Sequence, residues 1–280
     1  MRIQLTLTAL SAIGLLPAFA QTKPAPVLEI FRESVKEGRS AAHEKIETDY
    51  AAAFRKANHP AHYIAFTAMS GPGEAWFVQP MPSFAAAEEY DAASQKEPLK
   101  SALALLESRD GEVRTSSRNV WAVYRPDMSY KPEKFDGAKT RFVAVGTMRV
   151  KLGMEADFLA AAKMYLGGLE KGDVDQCTLA YQVVAGAPSG TYFFFTVMDS
   201  MSALDGTPAR NRALQQAMGP ENLARFMKST GDLFVSVEDT LLQVNPGMSY
   251  PPQEYVNADA FWKPKLASAA AAPADKKAGQ

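Results

Sequence analysis

Cysteine is nearly missing from this chain. One residue, Cys177, occurs in 280, so no intrachain disulfide can form and stability must come from a packed core. Histidine is scarce too, with His43, His59 and His62 the full set. Charge of one sign is also absent: 30 Lys and Arg face 31 Asp and Glu. That balance excludes the basic footprint of a nucleic-acid binder. No G-x-S-x-G, no Walker loop and no G-x-G-x-x-G after a strand occurs, so the phosphate-cradling and nucleophile-elbow chemistries are not signalled. Long apolar runs are limited to the first residues.

Those first residues read as an export signal. Arg2 precedes an apolar run from Ile3 to Leu16, and Ala18-Phe19-Ala20 fits an A-x-A cleavage site. We expect residues 1–20 to be removed and the mature protein to be soluble, periplasmic or secreted, with no membrane span. At the other end, "ASAAAAPADKKAGQ" (267–280) is low-complexity and expected to be disordered. Cys177 lies in a strand pattern, where a buried, inert thiol is the expectation.

A doubled motif gives the architecture. "RPDMSYKP" contains Met128-Ser129-Tyr130, and "NPGMSYPP" contains Met248-Ser249-Tyr250. Other landmarks recur in the same order. "VKEG" at 35–38 matches "VKLG" at 150–153, Pro72 matches Pro188, and Ser83 matches Ser200. The offset between copies drifts from 115 through 116 and 117 to 120, as small loop insertions would make it. The chain is therefore a domain pair, with repeats at 25–135 and 140–255, and not a solenoid.

Each copy reads β-α-β-β-α-β. In the first, 27–35 is an extended branched run, and 38–57 is alanine-rich with a helical apolar period. Two strands, 61–70 and 73–80, flank a Gly-Pro-Gly turn. Ser83 is a plausible N-cap, Pro98 interrupts the second helix, and 112–126 is the last strand. The second copy repeats this with strand 141–151, helix 154–170, a hairpin from Cys177, a broken helix over 200–229 and strand 231–244. This is the ferredoxin-like split βαβ order. The strands are apolar on both faces, so the two sheets are expected to cover one another. The fold class is thus α+β, two tandem ferredoxin-like repeats packed as a pseudo-dimeric α/β barrel.

In this order and duplication the chain resembles a fused dimeric α/β barrel of the antibiotic-biosynthesis-monooxygenase-like and NIPSNAP-like group. The resemblance covers about residues 25–250 and extends to secreted bacterial proteins of this type. It implies a cavity between sheet and helices or inside the barrel. Haem-binding relatives use an axial His in one half; the second copy has none, which argues against that ligation. The expected cofactor set is empty, and a monomer is expected because the fusion supplies the barrel partner.

The two copies act as internal controls. His43 corresponds to Phe158, so its helix position should face inward. Glu47, one turn later on the same face, corresponds to Ala162, and Tyr50 to Tyr165. His43, Glu47 and Tyr50 are the candidate acid-base residues; the alternative is an exposed His43–Glu47 helix-face pair. Arg32, beside Leu28 and Ile30 on one strand face, could bind an anionic group or reach a barrel rim. Glu29 and Glu33 share the other face, as a cavity pair or at a watery edge. Trp76, Tyr165 and Tyr192 are candidate contacts for an aromatic ligand, with core packing as their default. His59 and His62 flank Pro60 and make a weak metal set, so no metal is expected. Two functions stay open. The favoured one is a non-catalytic exported protein that binds a small apolar or aromatic ligand or serves a structural role. The alternative is a cofactor-free oxygenase or isomerase-like enzyme using His43, Glu47 and Tyr50. An inward His43 beside a cavity would favour the enzyme.

Overall fold

A computed structural model describes residues 23–263. The expected signal segment 1–20 and tail 267–280 lie outside the described residues. Strand β1 (Val27–Val35) shows how one strand serves two layers. Leu28 and Ile30 join the cluster inside the barrel, while Phe31 and Glu33 line a cavity on the other face, as the two-residue period requires.

The first half contributes β2 (Ile64–Ala68), β3 (Glu74–Met81) and β4 (Arg114–Tyr124), with α1 (Ser40–Lys56), α2 (Phe84–Ser94) and α3 (Leu99–Asp110). The second contributes β5 (Phe142–Val150), α4 (Glu155–Lys171), β6 (Cys177–Ala185), β7 (Thr191–Met198), α5 (Thr207–Gly231) and β8 (Phe234–Val244). The eight strands close into one barrel in the order β1-β3-β2-β8-β5-β7-β6-β4. Each half is a four-stranded sheet, β4-β1-β3-β2 or β6-β7-β5-β8. The sheets join where Phe66 of β2 meets Val244 of β8 and where Tyr124 of β4 meets Tyr181 of β6. All pairings between these strands are antiparallel. The expected mutual covering of the sheets is realised as a shared interior. Ile30, Trp76, Val120, Val145, Phe193 and Leu242 are buried in it, each fully buried side chain contributing about 1.5–3 kcal/mol.

The repeat landmarks have local causes. Gly38 and Gly153 have φ of 74° and 85°, a left-handed turn that glycine adopts without Cβ strain. The Ser83 hydroxyl accepts from the Ala86 N–H and caps α2. Pro98 separates α2 from α3, and Gly219-Pro220 kinks α5.

The M-S-Y segments cross between halves. Tyr130 pairs with Thr178 of β6, and its hydroxyl donates to the carbonyls of Leu169 and Val174, both at 3.0 Å. Tyr250 pairs with Tyr63 beside β2, and its hydroxyl donates to His59 O at 3.0 Å. Ser129 accepts from Ala180 N and Ser249 from Ala65 N, each at 2.9 Å. The repeated tyrosines thus pin equivalent exit loops, each onto the opposite half.

One element falls outside the sequence expectation. After the second motif the chain forms α6 (Gln253–Ala258) and a turn at Ala260–Trp262. Trp262 Nε1 donates to Ala138 O at 2.7 Å, and Tyr255 is buried with it. A Cβ on Gly137 would lie 1.9 Å from the Tyr255 hydroxyl, so this closure of the barrel end requires glycine there. Among the described residues no helix is long and apolar enough to cross a membrane.

Candidate functional site

Each half leaves space between its helices and the outer face of its sheet. The first-half cavity is about 330 Å³ and is walled by Phe31, Glu33, Glu47, Tyr50, Phe77 and Arg114, among others. The second-half cavity is about 450 Å³, with Met148, Phe158, Ala162, Tyr165, Phe226 and Phe234 in its wall. A smaller space of about 110 Å³ lies among the interior strands near Phe135 and Tyr255.

The first-half wall is polar for reasons that begin in the chain. His43 and Glu47 are one turn apart on α1, on the face that meets the sheet. Glu33 points outward from β1 toward them. Asp110 ends α3, and Arg114 opens β4 beside Val35 of β1. Four elements therefore deliver five polar side chains to one place.

His43 is 2% exposed, Glu47 6% and Asp110 1%. His43 Nε2 lies 2.9 Å from Glu33 Oε2 and 3.7 Å from Asp110 Oδ1. Arg114 Nη1 lies 2.7 Å from Glu33 Oε1 and 2.9 Å from Asp110 Oδ2, and Nη2 pairs with Glu107. The contact to Asp110 is ionic without hydrogen-bond alignment, and neither Asp110 oxygen has a hydrogen-bond partner. Glu47 has no hydrogen-bonding neighbour among the described residues. Burial, reinforced by the charges of Glu33 and Asp110, pushes the Glu47 carboxyl up to about 9 against the opposing pull of Arg114. Burial and Glu33 also raise Asp110, with His43 and Arg114 opposing. Tyr50 is raised by burial and by Glu107; its hydroxyl donates to Glu107 Oε2 at 3.3 Å.

The inward position of His43 and Glu47 overturns the exposed-pair alternative. His43 sits behind the cavity wall rather than in it, touching Glu33, while Glu47 and Tyr50 face the space. Glu33 belongs to the cluster and not to a watery edge. Glu29 stays apart, held by Asn119 and Gln79 at 2.7 and 3.3 Å.

The proposed ligand contacts are placed differently. Arg32 is not free to receive an anion: its Nη2 lies 2.8 Å from Glu74 and its guanidinium 4.1 Å from the centre of the Trp76 ring. Trp76 Nε1 donates to the same Glu74 carboxylate at 2.9 Å. Arg32 and Trp76 border none of these three cavities, and neither does Tyr192, which packs 4.9 Å from Phe158. Tyr165 does line the second-half cavity, stacked on Phe226.

The two histidines weighed as metal ligands have other neighbours. His59 is buried: its Nε2 faces Tyr90 O and Ser94 Oγ, and its Nδ1 accepts from Ala61 N. His62 rests on Tyr250, and burial lowers its pKa. Instead Glu33, His43, Glu47 and Asp110 each offer a ligand atom within 4.8 Å of the others. The set was hidden because Asp110, at the end of α3, is far in sequence from Glu33 of β1 and from His43 and Glu47 of α1. Cys177 is buried, its thiol pushed up to about 11 by burial, as an inert side chain should be.

The equivalent positions in the second half are all uncharged. Glu33, His43 and Glu47 correspond to Met148, Phe158 and Ala162 at offset 115; Asp110 and Arg114 correspond to Thr230 and Phe234 at offset 120. The pairing of Val35 with Arg114 and of Val150 with Phe234 fixes this correspondence. All five line the second-half cavity.

Neither a protein-family model nor a curated protein matches the sequence. In structure the chain is similar to an anthrone oxidase-like protein, with a TM-score of 0.51 at 11% identity over 80% of this chain and 93% of that one. It is also similar to a chlorite dismutase variant from Candidatus Nitrospira defluvii, with a TM-score of 0.50 at 10% identity over 85% and 96%. These likenesses are of fold: the dimeric α+β barrel, here with both halves in one chain.

Proposed function

We propose that the first-half cavity is an enzyme active site for a small organic molecule with an apolar or aromatic body. One observation carries this reading: four buried polar side chains and the half-buried Arg114 cluster in and behind one cavity wall, where the sister half shows the same backbone accepting apolar or neutral ones. Burying charge costs several kcal/mol per ion before pairing is counted. An unpaired carboxyl, Glu47, beside a paired one, Glu33, at a cavity wall is what an acid-base site needs and what a core does not.

The chemistry follows from placement. Phe31, Phe54, Phe77 and Tyr63 offer apolar and aromatic surface for the body of the molecule. Glu33, held by Arg114 and His43, faces the space as a proton acceptor. Glu47, kept protonated by its surroundings, faces it as a donor. Two carboxyl groups in different states suit abstraction of a proton next to a carbonyl. The C–H bond breaks, the proton goes to a carboxylate, and the electron pair moves to the carbonyl oxygen, where a Glu47 O–H meets it. Returning the proton to another carbon gives isomerisation. Reaction of the same enolate with dioxygen gives oxygenation, as in the cofactor-free alternative with His43, Glu47 and Tyr50.

The test is proton exchange. The purified protein is incubated in D₂O with a panel of hydroxyaromatic and 1,3-dicarbonyl compounds, and deuterium gain and oxygen uptake are followed. We expect turnover of at least one class, lowered about 100-fold or more by Glu47→Gln or Glu33→Gln. No exchange across the panel, or full activity in both variants, removes the enzyme reading.

A second reading rests on the other half. The larger cavity, walled by Phe158, Tyr165, Phe194 and Phe226, supports binding of an apolar or aromatic ligand without chemistry. Native mass spectrometry of protein from its own host would show such a ligand as retained mass. We further propose that residues 1–20 direct export to the periplasm or beyond and that the protein acts as a monomer. A mature N-terminus at Gln21 and a single-chain mass in solution are the expected results.

A further inference from the structure

We infer that the buried cluster of the first half is a binding site for one divalent first-row transition-metal ion, held by His43 Nε2 and by one carboxylate oxygen each from Glu33, Glu47 and Asp110. The inference deepens the enzyme reading of this cavity and, for any catalytic role of the ion, rests on it.

The donor atoms are close enough. All four lie within 4.8 Å of one another. An ion with bonds of about 2.0–2.2 Å sets its donors ~3.3–3.6 Å apart in a tetrahedron and ~4.4 Å apart across an octahedron, so the set closes with shifts of about 0.5–1.5 Å. The carboxylates are also oriented for it. Arg114 holds Glu33 Oε1 and Asp110 Oδ2. The other oxygens, Glu33 Oε2 and Asp110 Oδ1, are left facing His43 Nε2 at 2.9 and 3.7 Å. An outer group that grips the far side of the ligands is the usual support of a metal site.

One buried group lacks hydrogen bonds. Asp110 is 1% exposed, and among the described residues neither of its oxygens is hydrogen-bonded, its contact with Arg114 being ionic only; the Glu47 carboxyl faces the cavity. Buried polar atoms are almost always satisfied, so such an orphan marks a missing ligand. Charge favours a cation: Glu33, Asp110, Glu107 and Glu47, which loses its proton on binding as a ligand must, outnumber the one guanidinium of Arg114. One imidazole with three carboxylates suits Mn²⁺, Fe²⁺, Co²⁺ or Zn²⁺ better than Mg²⁺, Ca²⁺ or a soft cuprous ion. Glu33 and Glu47 open onto the cavity, which gives the ion an entry path and a substrate access to it.

The full chain, stripped with EDTA and dialysed, is titrated calorimetrically with MnCl₂, CoCl₂, ZnCl₂ and MgCl₂, with no organic compound present. We expect one equivalent of at least one transition ion, with Mg²⁺ bound at least 100-fold more weakly. Glu47→Gln and Asp110→Asn, each checked for fold by circular dichroism, should weaken binding at least tenfold. Co²⁺ should show visible d–d bands that both variants alter. Absence of a saturable equivalent, or an equivalent whose affinity neither variant changes, overturns the site. The D₂O exchange assay separates the two readings. One equivalent lost in both variants without any exchange keeps the metal site and removes the enzyme. Exchange that persists in EDTA-treated protein with no equivalent bound removes the metal site and keeps the enzyme.

Discussion

Beneath α1 the chain buries Glu33, His43, Glu47 and Asp110 and half-buries Arg114; beneath α4, at the same five positions, it buries or half-buries Met148, Phe158, Ala162, Thr230 and Phe234. Around these differences the scaffold is held constant. Gly38 and Gly153 make the same left-handed turn. Met128 and Met248 are buried alike, and both M-S-Y tyrosines donate to carbonyls of the opposite half. Residues that serve the backbone are kept in both copies, while at the cavities Tyr50 and Tyr165 are kept and the charged positions diverge. A homodimer cannot do this, because each substitution appears in both sites at once. Joining the halves in one chain lets one wall carry charge while the other carries aromatic rings.

The comparison can be broken first at Arg114. Its removal leaves Glu33 and Asp110 buried without a counter-ion. Arg114→Met should destabilise the protein by about 3 kcal/mol or more, read as a lowered urea midpoint. A loss below about 1 kcal/mol would mean the cluster is better solvated than its burial indicates. Replacing all five residues by their second-half equivalents should do the opposite. Glu33→Met, His43→Phe, Glu47→Ala, Asp110→Thr and Arg114→Phe together remove the ions and their desolvation cost. We expect stability between unchanged and about 4 kcal/mol higher, with the exchange activity and the metal equivalent both abolished. The smallest effects should come from the shared straps. Tyr250→Phe should cost about 1 kcal/mol for its hydrogen bond. Tyr130→Phe should cost somewhat more, since one hydroxyl serves two carbonyls. Equal urea midpoints for wild type and both variants would show that the straps do not tie the halves together.

Much of the fold was legible because duplication repeats its own punctuation. Gly38, Ser83, Pro98 and the M-S-Y motifs mark turns, caps and exits twice over. The inward face of α1 was legible for the same reason, since Phe158 and Ala162 show which side of the helix is buried. Asp110 and Arg114 were not, because they sit at a helix-strand junction where neither period assigns a face. Their equivalents, Thr230 and Phe234, appear only when the offset is moved from 115 to 120. Arg32 was correctly grouped with Leu28 and Ile30, but Glu74 binds it through the β1–β3 register, which one strand's pattern does not reveal. The helix α6 has six residues, less than two turns, too short for periodicity to show.

The barrel closure also sets a timetable. When synthesis passes Tyr124 the first sheet has all four strands, but its edges, β2 and β4, are open. Their partners are β8 and β6, and the last of these ends at Val244. At about 5–20 residues per second, roughly 120 residues of waiting is on the order of 6–24 s. During that interval the bare edge of β2, and that of β4 until β6 ends at Ala185, can template pairing with another nascent chain. The half that carries the charged cluster is therefore made first and waits longest before the barrel closes. Its assembly depends on keeping those edges apart from neighbours until the second copy is complete.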